Sequence, residues 1–133
     1  MPAILSLLLL DPRLRPARIA LALILYAGVL IGGSIPGARA ELGEYAPGLV
    51  LHALAYACLT TLWFLGSTGS GPLRALKAVL AIALMGAGDE LVQSFLPYRS
   101  GDIRDWMVDV SAALLTSTLL AVIVPQRDPV RRH

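Results

Sequence analysis

Charge is scarce in this 133-residue chain: 15% of its residues are Asp, Glu, Lys or Arg, against about 25% in soluble globular proteins. Hydrophobic residues reach 56%, where roughly 45–50% is usual. A soluble domain this short has a high surface-to-volume ratio and could not hide so much apolar surface, so lipid is the solvent that fits. Cysteine is nearly absent. Cys58 stands alone, which rules out an intrachain disulfide and any cysteine metal pattern. Inside an apolar run it reads as a small packing residue. Also missing are a phosphate-binding glycine loop, a Ser/His/Asp order and an internal repeat; no serine has a base at a recognisable spacing. The formal charge is +2 and the isoelectric point near 9.0. The basic residues flank apolar runs and do not gather on one polar face, so no nucleic-acid partner is expected. The lipid bilayer is.

What is present is four apolar runs, at about residues 19–35, 49–65, 73–96 and 106–124. A membrane span needs about 20 residues, within a range of about 17–25. Hydrocarbon offers backbone groups no water, so each run must be helical. The expected fold class is all-α: a polytopic membrane protein, one domain over residues 1–133, with four transmembrane helices bundled by short loops. Turn-forming Pro36-Gly37, residues 66–72, residues 97–105 and Pro125 separate or close the runs, and such short connections predict antiparallel neighbours. Gly28 with Gly32, and Gly86, Ala87 and Gly88, predict close helix contacts. Tyr26, Trp63 and Trp106 predict interface anchors. The apolar stretch 1–10 is too short to span and reads as an interfacial segment.

Basic residues set the expected orientation. Arg13, Arg15, Arg18, Arg74, Lys77, Arg127, Arg131 and Arg132 fall on one side; Arg39, Arg99 and Arg104 fall on the other. The richer side should face the cytoplasm, which puts both termini inside. Acids do the reverse: Glu41, Glu44, Asp89, Glu90, Asp102, Asp105 and Asp109 lie towards the outer side. A rival reading takes the chain up to Ala38-Arg39-Ala40 as a secretory signal with its cleavage site. The apolar run is longer than the usual signal core of about 7–15 residues, and a cut there leaves the other three helices oriented as before.

The third run carries Lys77 near its start and Asp89, Glu90 and Gln93 in its last third. His52 and Asp109 are each the fourth residue of their runs, so three helices bring polar groups to one depth near the outer interface. A charge facing lipid costs roughly 2.5–3.5 kcal/mol at a helix centre, less near the interface, so these groups face one another or a wet cavity. Asp105 and Asp109 are four apart and share a helix face, joined by Asp102 if the helix starts early. Asp89 and Gln93 are also four apart. Converging acids need a neutraliser: Arg99 or Arg104 from the loop, protonation, or a bound divalent cation. Arg99 suits best, because guanidinium meets carboxylate in a bidentate way. No cofactor is identified; an oxygen-rich magnesium or calcium site could use the carboxylates without His52. His52 itself reads as a metal ligand, a proton-transfer group or, most simply, a hydrogen-bond partner for an acid. The bland alternative is that the whole cluster only ties the third and fourth helices together.

The stretch Asp89-Glu90-x-x-Gln93-x-Phe95-x-Pro97-x-Arg99-x-x-Asp102-x-x-Asp105 resembles the VanZ-like membrane proteins, as does His52-x-x-x-Tyr56. The likeness runs over about residues 49–113. It departs from the pattern at Gly48 and Leu49, where the family often has an Asp-Lys pair, at Asp109, usually Asn, and at Ala112, usually Gly. The resemblance implies a four-helix protein of the bacterial cytoplasmic membrane with an accessory role at the cell envelope. The family is named for a protein that lowers susceptibility to the lipid-tailed glycopeptide teicoplanin. It supplies no catalytic residue to carry over. The ligand-binding candidates are therefore His52, Asp89, Glu90, Gln93, Arg99, Asp102, Asp105 and Asp109. Their expected partner is a lipid head group, a glycopeptide or a cell-wall precursor. A metal- or proton-dependent intramembrane enzyme, a transporter, for which a homo-oligomer would be needed, and an unliganded scaffold subunit are the other readings.

Overall fold

A computed structural model describes residues 3–38, 41, 44, 47–98 and 102–125. Among these, every regular element is helical. Helix α1 is Ala3–Leu10, followed by a 3-10 turn at Pro12–Leu14; α2 is Arg15–Ser34, α3 Gly48–Gly66, α4 Gly71–Ser94 and α5 Ile103–Ile123.

Local chemistry sets the starts. Asp11 accepts a hydrogen bond from the Arg13 amide at 2.9 Å and opens the 3-10 turn, with Pro12 supplying its first fixed φ. Ser70 caps α4 through the Leu73 amide, with Pro72 inside the first turn. Asp102 caps α5 through the Arg104 amide at 2.9 Å. That cap starts α5 three residues ahead of the apolar run, because a helix begins where its amides are first satisfied. Likewise α2 starts four residues ahead of its run. The bend into α4 passes through Gly69 at φ +108, a region that L side chains avoid.

Helices α2 to α5 run up and down. α4 packs chiefly against α5, α5 against α3, and α3 against α2, while α2 meets α4 over a smaller patch. One core cluster joins Ala22, Tyr56, Leu59, Ile82, Met85 and Ala113; a second joins Phe64, Leu65 and Ala78 nearer the α3–α4 turn. The polarity is inverted relative to a soluble bundle. Asp89, Gln93, Asp109, Thr60 and Ser117 are buried, whereas Leu84, Leu115 and Val122 are 75%, 74% and 79% exposed. Cys58 also faces out of the bundle, so it is not the packing residue expected of it.

The expected count of four spans is corrected to three. Pro12–Ser34, Gly48–Gly66 and Ile103–Ile123 are long and apolar enough to cross a membrane. α4 has the length, at 24 residues, but it carries Arg74, Lys77, Asp89 and Glu90, and charge towards lipid is costly. Protein holds it in place. The three aromatic residues expected at the interface have partners inside the bundle. The Tyr26 hydroxyl donates to the Met85 carbonyl at 2.7 Å, Trp106 Nε1 donates to the Ala83 carbonyl at 3.0 Å, and Trp63 packs against both core clusters. A ring N–H or O–H in apolar surroundings needs a partner, and these find one on the neighbouring helix.

Cations gather where α3 ends. Arg18 donates to the Leu65 carbonyl at 3.2 Å and twice to the Leu8 carbonyl, at 3.1 and 2.6 Å. Arg74 donates to the Phe64 carbonyl at 3.1 Å and lies 4.5 Å from the centre of the Phe64 ring. Lys77 donates to the Thr68 carbonyl at 2.9 Å. The last carbonyls of a helix have no intrahelical donor and sit at its negative end, so arginine suits both needs. Arg18→Met strips the donor from two carbonyls at once. It should lower stability by about 1–3 kcal/mol, measured by chemical unfolding in detergent micelles.

Candidate functional site

The opposite end of the bundle is acidic. His52 lies one turn into α3 and faces Asp109, which lies two turns into α5. His52 Nδ1 is 3.0 Å from Asp109 Oδ1, with the aspartate fully buried and the histidine side chain 16% exposed. One turn further along α3, the Tyr56 hydroxyl donates to Asp89 Oδ2 at 3.2 Å. Gln93, on the next turn of α4, donates from Nε2 to Asp89 Oδ1 at 3.0 Å. The His52 and Tyr56 rings stack, with centroids 6.0 Å apart and planes 12° from parallel. Glu90, half-buried, accepts from the Asp102 amide at 2.7 Å and so ties the end of α4 to the start of α5. Oδ2 of Asp109 and Oε1 of Glu90 are buried without a hydrogen-bond partner among the described residues.

Small residues make this approach of helices feasible. A Cβ on Gly86 would lie 3.0 Å from Asp109 Oδ2 and 3.2 Å from the Trp106 ring; one on Gly88 would lie 2.6 Å from the Tyr26 hydroxyl. Gly86 and Gly88 therefore give the close contact expected of them. Gly28 and Gly32 do not. Nothing beyond their own turns of α2 lies within 4 Å of a Cβ built on either, because they border a cleft of about 560 Å3 between α2, α3 and α4. Ile24, Leu25 and Val29 of α2 form its apolar wall, while His52, Tyr56, Asp89 and Gln93 form its polar floor. Its volume is in the range of about 300–1,000 Å3 that accommodates a small organic ligand.

The eight candidate residues thus divide. His52, Asp89 and Gln93 meet the cleft directly. Asp109 stands behind His52 and fixes its ring. Glu90 and Asp102 join α4 to α5, Asp102 being exposed and spent on the helix cap. Asp105 is half-buried on the first turn of α5. Arg99 lies outside the described residues, as do Arg39 and the tail from residue 126. Tyr56 had no place in the candidate set, although its spacing one turn from His52 carried the signal. The α2 wall was hidden, since ordinary aliphatic residues announce nothing. Among the described residues no three His, Cys, Asp or Glu side chains converge to hold a metal ion. The groups present can hold or pass a proton between His52 and Asp109, and can bind a hydrogen-bond donor at Asp89.

Compared with known proteins, residues 47–124 match the family model described as VanZ/LLP1. No curated protein and no solved structure matches the chain.

Two substitutions test this packing. Gly86→Val drives a side chain into Asp109 and Trp106. It should cost about 1–3 kcal/mol through overpacking and separate His52 from Asp109, seen as a changed imidazole 15N shift. Tyr56→Phe removes one donor from Asp89 and should cost about 0.5–1.5 kcal/mol in the same unfolding assay.

Proposed function

The chain belongs to the VanZ/LLP1 family, and from that membership and the cleft we propose that it is a cell-envelope protein of the bacterial cytoplasmic membrane that binds an amphiphile. The three apolar helices cross the bilayer, and α4, charged at both ends, is carried among them. The basic end, with Arg13, Arg15, Arg18, Arg74 and Lys77, faces the cytoplasm and leaves both termini there. The acidic end, with the cleft, then lies at the outer leaflet. A lipid head group, a lipid-tailed glycopeptide of the teicoplanin kind or a cell-wall precursor would present its polar part to His52, Asp89 and Gln93. Lowered susceptibility to such a glycopeptide would be the cellular consequence.

One observation carries this reading: a cleft with aliphatic residues on one side and four buried or half-buried polar side chains on the other. A purely apolar gap would be filled by packing, and a purely polar one would have no reason to open between membrane helices. The combination suits a molecule with both characters. The contact between His52 and Asp109 favours a second reading, proton transfer during a reaction on the bound amphiphile. A divalent cation, if one acts, would need ligands from the substrate, given the donor set.

The cleft can be filled without moving a helix, since a side chain at Gly28 or Gly32 meets open space. Gly28→Leu and Gly32→Leu should reach the membrane at wild-type abundance yet fail to restore teicoplanin resistance to cells lacking the protein. Restoration by both variants would sink the cleft reading. For orientation, Cys58 replaced by Ala with a single cysteine at Ser70 should react with a membrane-impermeant maleimide only after the cells are opened. A cysteine at Asp102 should react in intact cells.

A further inference from the structure

We propose that the amphiphile's head carries an ammonium group, seated against Asp89, with the tail lying along α2. This rests on the amphiphile reading above and names the chemistry of its ligand.

Asp89 is 2% exposed and borders the cleft. Its two oxygens accept hydrogen bonds from neutral groups, Tyr56 and Gln93, and among the described residues no cation forms an ion pair with it. A carboxylate withdrawn from water is costly unless a charge answers it. Among the described residues, the ionisable groups around it do not. His52 is engaged by Asp109; Glu90, Asp105 and Asp109 are acids; Tyr26 and Tyr56 are neutral donors. Arg18 and Arg74 cap α3 at the far end of the bundle. Among the described residues, Asp89 is the one carboxylate that lines the cleft, so a phosphate or sulfate head would meet a like charge there and a cation an opposite one.

Shape narrows the cation. An ammonium is compact and has three donors, so it can bond to Asp89 while its positive charge lies near the stacked His52 and Tyr56 rings. The facing wall of Ile24, Gly28, Val29 and Gly32 offers no polar side chain. It leaves a hydrocarbon chain the space that a Cβ on either glycine would occupy.

The test uses the full chain in nanodiscs of digalactosyl diacylglycerol, an uncharged lipid without an amine. Dodecylammonium and dodecyl sulfate, each bearing a diazirine in the chain, are photolysed, and labelled peptides are mapped. The ammonium probe should label α2 and the sulfate probe should not. Unlabelled dodecylammonium should compete, and Asp89→Asn should weaken labelling about tenfold or more, the scale of a charge-assisted hydrogen bond. The comparison of the two heads on the unaltered chain stands even if the variant unfolds. Equal labelling by both probes overturns the ammonium assignment and leaves the amphiphile reading intact. If neither probe labels α2, both readings are overturned. Ammonium labelling that appears only after Arg99→Gln also overturns the proposal, because the chain would then supply its own cation. Where the ammonium probe succeeds, adding phosphatidylethanolamine locates the source: competition means a resident lipid, and none means a lipid-tailed amine from outside the membrane.

Discussion

Asp109 has no surface exposed, and whatever eases the cost of burying its carboxylate comes from the neighbouring helices. Hydrocarbon cannot do so, and leaving a buried charge unanswered costs more than any single packing contact returns. The His52 ring on α3 answers one oxygen, and the bare backbone at Gly86 on α4 makes room for the other. Three helices are thereby held at one depth by a single side chain. The Asp89 contacts repeat the solution one layer along, with Tyr56 from α3 and Gln93 from α4. Register, helix spacing and the position of the cleft floor all follow from these two acids.

The other end is organised by the opposite sign. Arg18 and Arg74 close the last carbonyls of α3, and Arg18 also reaches the end of α1. This is helix-end chemistry, where cations meet a partial negative charge. Two of the residues on which the expected orientation rests also finish one of the helices. Lys77, exposed on the first two turns of α4, joins the α3–α4 loop at Thr68. Acid in the interior near one end and base around helix termini at the other explain how α4 tolerates four charged residues.

Much of this was legible in the sequence. Long apolar runs gave helices, since no other structure leaves the backbone satisfied in lipid, and the depth shared by His52 and Asp109 agrees with their contact, while Asp89 bonds instead to Tyr56 and Gln93. What the sequence hid is instructive in kind. Charge on α4 counts against a span by composition alone, whereas its neighbours decide where it sits. Gly28 and Gly32 looked like a contact motif because small residues permit closeness; they do not compel it, and here they border empty space. Tyr26 and Trp106 looked like interface residues because one end of each ring is polar; the carbonyls on α4 to which they donate were not visible in either segment. Each miss concerns a property of pairs of helices, which no single segment contains.

The cleft joins two parts of the chain with different standing. Its polar floor comes from α3 and α4, within residues 47–124 that match the family, while its aliphatic wall comes from α2, which precedes that segment. On the proposal that an amphiphile binds here, the chemistry of its head and the fit of its tail would be written in separate stretches of sequence. A lineage could exchange Ile24, Leu25, Gly28 and Val29 to suit a longer, bulkier or branched tail without disturbing a single hydrogen bond at Asp89. In that sense α2 serves as an interchangeable die set against a fixed anvil, and diversity among such proteins would be sought there first.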